Sequence, residues 1–252
     1  IYDPQTNSWS STPSMTGFEA FTWSGAVLLT SGKVLLTFLG GSGLAAALYD
    51  PVANSFTPTG AIPTSQGFAR TIALPGGKAL IAGGVSGVTA VNTAQIFDPA
   101  GGGGAGSFSN AGTTMVQARS YPATARLPDG RILFAGGFTQ FLTTSTAIST
   151  AEIFDPAGAG GAGSFTATGS LSSARGGMPG IAMDTGQVLV PSGGTTGPAY
   201  PTTTQTYDTL SSGASLTPSS ISFGDREVGS GPSTPRPATI SSDGSYRLTI
   251  RT

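Results

Sequence analysis

Apolar and polar positions along this chain fall into short apolar runs, each entered through a turn and closed by a pair of glycines. The clearest runs from Leu127 to Gly137 (LPDGRILFAGG). Imperfect copies lie at Thr30 to Gly41, Leu74 to Gly84 and Met183 to Gly194. Asp129-Gly130 between apolar runs is a hairpin signal, because glycine takes the positive φ that a tight turn needs. Each copy therefore predicts a hairpin whose second strand is buried. A second apolar landmark follows each first: Leu48-Tyr49-Asp50-Pro51, Ile96-Phe97-Asp98-Pro99 and Ile153-Phe154-Asp155-Pro156, each with Phe56, Phe108 or Phe165 shortly after it. Ile1-Tyr2-Asp3-Pro4 with Trp9 is the same unit without its hairpin, and Thr206-Tyr207-Asp208-Thr209 is a degenerate copy. Proline cannot donate to a ladder, so Asp-Pro ends a third strand, and the trailing aromatic marks a fourth.

The aromatic positions 2, 49, 97, 154 and 207 are 47, 48, 57 and 53 residues apart. A β repeat of this length predicts a stacked or radial array of four-stranded units. They run over 15–57, 62–108, 115–166 and 171–209, with half a unit at 1–10. In the third unit the predicted strands are 121–126, 131–135, 151–154 and 164–167. Ahead of each first strand an apolar residue precedes a polar one by four: Met15 and Glu19, Ile62 and Gln66, Met115 and Arg119, Leu171 and Arg175. The loops after the double glycine differ in length, the longest inserts being 138–149 and 195–203. Unequal loops on one rim of a repeated scaffold are where binding resides.

From about Ser211 the pattern changes. Ile221 and Phe223 alternate in one stretch, and 236–241 and 246–250 read as two strands around Ser242-Asp243-Gly244. The expected division is 1–210 for the repeat and 211–252 for the start of a second module.

Composition narrows the function classes. Of 252 residues only 9% are charged, and the net charge of −1 supplies no footprint for nucleic acid. Cysteine and histidine are both absent, which removes disulfides, thiolate chemistry and the commonest metal ligand and general base. No stretch reaches the ~20 apolar residues of a membrane helix, so no membrane insertion is expected. Sparse lysine with abundant Gly, Ser and Thr fits an extracellular or cell-surface bacterial protein, and a start inside a repeat fits a piece of a longer precursor.

The apolar strand with its double glycine (Ile132 to Gly137), the Tyr/Phe-Asp-Pro and the aromatic beyond it resemble the kelch family of β-propellers over residues 1–209. The Leu-Pro-Asp-Gly-Arg variant is similar to bacterial kelch proteins and to the propeller of galactose-oxidase-like enzymes. The resemblance implies an all-β, kelch-like β-propeller of about four to five four-stranded blades, as a ring or an incomplete arc. The copper oxidases of that group use histidines, tyrosines and a tyrosine–cysteine crosslink, and a chain without His or Cys cannot build that centre. Leu216-Thr-Pro-Ser-Ser-Ile-Ser-Phe-Gly224 followed by Val228-Gly229 resembles the opening of Hydin-type, choice-of-anchor D immunoglobulin-like modules.

The double glycines lack the helix and lysine of a phosphate loop and read as close strand packing. Asp3, Asp50, Asp98 and Asp155 are each isolated, which fits turn capping better than calcium. Glu152, with Gln95 and Gln205 in the same slot, reads as structural, and spacing singles out no acid–base pair. No catalytic residue, metal or cofactor is therefore expected. The candidate ligand-binding residues are Glu19, Trp23, Arg119, Phe138, Phe141, Arg175 and Tyr200. Tyr121 is a further aromatic able to stack on sugars, while the paired polar positions Arg119 and Arg175 read more simply as bonds between blades. Two functions stay open: a non-enzymatic module that binds carbohydrate or protein, and a piece of a carbohydrate-active hydrolase or lyase.

Overall fold

The computed structural model describes residues 1–15, 22–40, 43–64, 66–140, 145–197, 200–208, 214–217 and 239–242. It is all-β. The half unit is β1 (Tyr2–Asp3) with β2 (Ser8–Trp9). Blade 1 comprises β3 (Thr22–Leu28), β4 (Val34–Gly40), β5 (Gly43–Asp50) and β6 (Ser55–Pro58). Blade 2 comprises β7 (Arg70–Ala73), β8 (Ala79–Ala82), β11 (Ala94–Asp98) and β12 (Ser107–Asn110), with a small hairpin of β9 (Val85–Ser86) and β10 (Thr89–Ala90) in its loop. Blade 3 comprises β13 (Ala123–Arg126), β14 (Ile132–Ala135), β15 (Ala151–Asp155) and β16 (Ser164–Thr168). Blade 4 has three strands, β17 (Ile181–Ala182), β18 (Val188–Val190) and β19 (Gln205–Tyr207). Each blade is an antiparallel meander in chain order. This is the kelch-like propeller arrangement that the repeat predicts, with three strands of blade 4 among the described residues.

The register repeats with the sequence. Tyr49 pairs with Val34, Phe97 with Ala79, Phe154 with Ile132 and Tyr207 with Val188. In each of the first three blades that aromatic also faces its trailing partner, as Phe154 faces Phe165 with ring centroids 4.8 Å apart. The predicted strand 121–126 begins two residues late, at Ala123. Tyr121 has φ 50° and Pro122 has no amide hydrogen, so neither extends the ladder.

The core lies between blades. One layer joins blades 1 and 2 through Leu35, Leu48, Ala69, Ile81 and Phe97. A second joins blades 2 and 3 through Leu80, Ile96, Met115, Phe134 and Phe154, and a third joins blades 3 and 4 through Leu133, Ala151, Met178 and Val190. Strand alternation sends successive residues to opposite neighbours, so both faces of a middle blade are apolar. The first strands of successive blades are adjacent, and only small residues fit between them. A Cβ on Gly25 would sit 3.0 Å from Thr71 Oγ1, and one on Gly180 would sit 2.8 Å from the Thr124 carbonyl.

The double glycines are the seats on which the next blade docks. Gly84 N donates to the Arg119 carbonyl (2.9 Å) and Gly137 N to the Arg175 carbonyl (2.8 Å). A Cβ at Gly84 (φ 99°) would lie 2.3 Å from the Gly67 carbonyl, and one at Gly136 would lie 2.3 Å from that of Arg175. The aspartates cap their turns: Asp3, Asp50, Asp98 and Asp155 each accept a backbone N–H two residues on.

In β1–β2, Tyr2 pairs with Trp9, and the Tyr2 hydroxyl donates to Asn7 Oδ1 (2.9 Å), as Tyr49 does to Asn54 (2.8 Å). The hairpin matches β5–β6, yet Tyr2 and Trp9 are 45% and 80% exposed where Tyr49 is 7%. Among the described residues, no strand pairing joins this hairpin to another sheet. In the C-terminal region β20 (Ala214–Thr217) pairs with β21 (Thr239–Ser242), so the predicted strand 236–241 finds its partner upstream, across Leu216 and Ile240. The predicted turn at 242–244 and strand 246–250 lie almost wholly outside the described residues.

Candidate functional site at the blade rim

The segments ahead of the first strands of blades 3 and 4 bond the preceding blade through their backbone, and a polar side chain ties each to its own blade. Arg119 is fully buried. Its Nε donates to Glu152 Oε1 (2.9 Å), Nη2 lies 2.7 Å from the same oxygen, and Nη1 donates to the Gly136 and Thr150 carbonyls (2.7 Å each). Glu152 Oε2 accepts the Val116 amide (2.7 Å). Burial pushes the Arg119 pKa down, and the Glu152 carboxylate opposes that shift. Arg175 repeats the arrangement, donating to the Thr203 carbonyl (2.6 Å) and to Ser173 Oγ (2.7 Å), with Gln205 in the Glu152 slot accepting the Ser172 amide (2.8 Å). In blade 2 the pair is Gln66 and Gln95, with Thr93 donating to Gln66 Oε1. Both arginines are 0% exposed, so neither offers a surface to a ligand.

The remaining candidates scatter. Glu19 and Phe141 lie outside the described residues. Trp23 lies in β3, its side chain outside the description. Phe138 is half-buried, pairs with Ser120 and Ala147, and lays its ring over Gly176 and Gly194 of the next blade. Tyr200 is 72% exposed.

The unequal loops come together. Ala90 N donates to the Thr139 carbonyl (2.9 Å), Thr89 bridges to Gln140, and Ala147 N donates to Thr196 Oγ1 (2.8 Å). Residues 85–90, 138–140, 145–147 and 195–197 thus form one hydrogen-bonded ridge across blades 2, 3 and 4. In blades 2, 3 and 4 the same end carries the lead-in to the first strand, because Gly67 pairs with Val85, Ser120 with Phe138 and Gly176 with Gly194.

That placement identifies residues the sequence reading passed over. Phe68 and Tyr121, each two positions after the polar lead-in residue, stack across blades 2 and 3 with centroids 5.3 Å apart and planes at 28°. Both are half-buried and both have left-handed φ, 56° and 50°. A bulky residue is rarely held there, and such positions concentrate at functional sites. Arg70, on β7 and also half-buried, reaches across the same seam, its Nε donating to the Pro122 carbonyl (2.9 Å). Burial lowers the Arg70 pKa and raises that of Tyr121, while the Arg70 charge pulls the phenol back down. Phe21 precedes Thr22 at the matching position of unit 1 and Gly177 takes it in unit 4, so an aromatic series followed by a glycine was the available signal.

No family model matches the chain, and no curated protein matches it in sequence. Solved structures do match in fold. One is a fungal alcohol oxidase of the AA5 family in complex with copper, 23% identical, with a TM-score of 0.61 over 79% of this chain. Another is YjhT, 13% identical, with a TM-score of 0.57 over 81% of this chain and 70% of its own. This chain spans 43% of the oxidase's length. At these identities the likeness establishes the kelch-like propeller fold alone.

The oxidase's copper does not carry over. A chain without histidine or cysteine has no imidazole or thiolate to ligate it. Among the described residues no three acidic groups gather. Asp3, Asp50, Asp98 and Asp155 cap turns, Asp50, Asp98 and Asp129 pair with Lys33, Lys78 and Arg131, and Glu152 sits in the buried pair with Arg119.

Proposed function

We propose that this chain is a non-enzymatic binding module that recognises carbohydrate at the rim carrying the inserts. The observation behind this reading is the coincidence of two features at one end of the blades: the continuous insert ridge and the stacked Phe68–Tyr121 pair. Aromatic faces stack on the C–H faces of sugar rings, and the ridge adds uncharged hydroxyl and amide groups from Thr89, Thr139, Gln140 and Thr196 for directional hydrogen bonds. The second module over 211–252 is proposed as Hydin-type and immunoglobulin-like; the separate β20–β21 pair supports a boundary near residue 210. The composition supports a secreted or surface location in a bacterium.

A glycan and protein array probed with the wild type and with Tyr121→Ala tests the binding reading. Glycan signals that Tyr121→Ala abolishes support it. Signals confined to proteins, or glycan signals indifferent to Tyr121, overturn it.

A further inference from the structure

Of the seven described lysines and arginines, five are engaged within the protein and Arg126 is exposed. Lys33 pairs with Asp50, Lys78 with Asp98, Arg131 with Asp129 and Arg119 with Glu152. Arg175 is enclosed by carbonyls and hydroxyls. Arg70 is different. It is half-buried, yet no carboxylate among the described residues lies within ion-pairing distance, and beyond the Nε bond to Pro122 no acceptor among those residues meets Nη1 or Nη2. The guanidinium lies beside Tyr121, at the Phe68–Tyr121 stack. Removing a charge from water without pairing it is unfavourable, and a planar fork with two unused donors matches a carboxylate.

Resting on the carbohydrate reading above, the geometry points to a ligand class: Arg70 makes the rim a site for sugars bearing a carboxylate, with Phe68 and Tyr121 stacking on the ring and the Arg70 Nη1/Nη2 edge holding the acid. The repeat sets this charge at one place. The corresponding positions are Trp23 in unit 1, Ala123 in unit 3 and Pro179 in unit 4, so blade 2 alone puts a cation there. A ligand therefore has one orientation, its acid toward the seam between blades 2 and 3 and its remainder along the insert ridge.

The test is calorimetric titration of the intact chain with oligo-glucuronate and oligo-galacturonate, beside their neutral glucose and galactose counterparts. At low ionic strength at least one acidic oligosaccharide should bind about tenfold or more tighter than its neutral parent, equivalent to about 1.4 kcal/mol. The preference should shrink as salt is added while neutral binding stays constant. Arg70→Gln should erase the preference and keep neutral binding, Arg70→Lys should retain part of it, and Tyr121→Ala should lose both ligands. Should Arg70→Gln fail to fold, the wild-type salt dependence decides alone. Equal affinity for acid and neutral sugar, or a preference that survives Arg70→Gln or high salt, overturns the inference while leaving the carbohydrate reading in place. Binding of neither sugar overturns both.

Discussion

Glu152→Gln is the sharpest perturbation of the frame that places the rim. Glu152 accepts from three donors with two oxygens: Arg119 Nε and Nη2 on Oε1, and the Val116 amide on Oε2. Glutamine has the same shape but one acceptor oxygen, so either Val116 or Arg119 loses its partner, and the fully buried guanidinium loses its only counter-charge among the described residues. Hydrogen bonds to charged groups contribute about 1.5–3 kcal/mol, and breaking one side of a buried ion pair costs about 3–5 kcal/mol. Blade 4 indicates the lower end, because Arg175 is carried there by neutral groups opposite Gln205. We therefore expect a loss of about 3 kcal/mol, a large share of the ~5–15 kcal/mol by which domains are held folded. Urea unfolding followed by circular dichroism should show a lower midpoint at unchanged slope. A double-mutant cycle with Arg119→Met should return a coupling energy of the same order. A loss below ~1 kcal/mol, or a coupling near zero, would refute the idea that this pair fastens the lead-in segment, whose backbone bonds blade 2, to blade 3.

Two further outcomes follow from the same geometry. Gly84→Ala places a methyl carbon 2.3 Å from the Gly67 carbonyl at φ 99°; the backbone conformation alone costs about 1–2 kcal/mol. The denaturation midpoint should fall by more than that, whereas Gly87→Ala, where a Cβ meets nothing, should fall by the conformational cost alone. The Asp50 pKa is held below its ordinary 3.8 chiefly by the Ala53 amide and then by Lys33, and that of Asp98 chiefly by Lys78 and then by the Ala100 amide. A folded-state pKa below the unfolded one gives stability that is complete above 3.8 and drains as pH falls through the lower folded value. Thermal unfolding across that acid window should accordingly be less pH-dependent in the Asp50→Asn/Asp98→Asn variant than in the wild type.

Much of the fold is written locally. Glycine pairs, Asp-Gly turns and Tyr/Phe-Asp-Pro stops each act within a few residues, so strands such as Ile132–Ala135 and Ala151–Asp155 can be read directly. The polar ties are written across about 30 residues. Gln66, Arg119 and Arg175 form one periodic series and Gln95, Glu152 and Gln205 another, and of these pairs only Arg119 and Glu152 bond each other directly. Each second member also follows a threonine two places earlier, Thr93, Thr150 or Thr203, which bonds the first. The rim was harder still. Phe68 and Arg70 look like ordinary residues at a strand start, and nothing short of the docking between lead-in segments shows that Phe68 meets Tyr121. Conversely, Arg119 and Arg175 attract attention as charges in a chain with few, and read as bonds between blades, yet both guanidinium groups bond within their own blades and tie the lead-in segment there.

The central claim is that ligand is held at the Phe68–Tyr121 end of the seam between blades 2 and 3. Carbon-detected aromatic NMR on the intact chain, titrated with the tightest oligosaccharide from the array, addresses it directly. The account predicts that the Phe68 and Tyr121 ring signals shift in proportion to saturation while those of the buried strand aromatics Tyr49 and Phe154 stay fixed. Saturable binding that leaves both rim rings unmoved would contradict it.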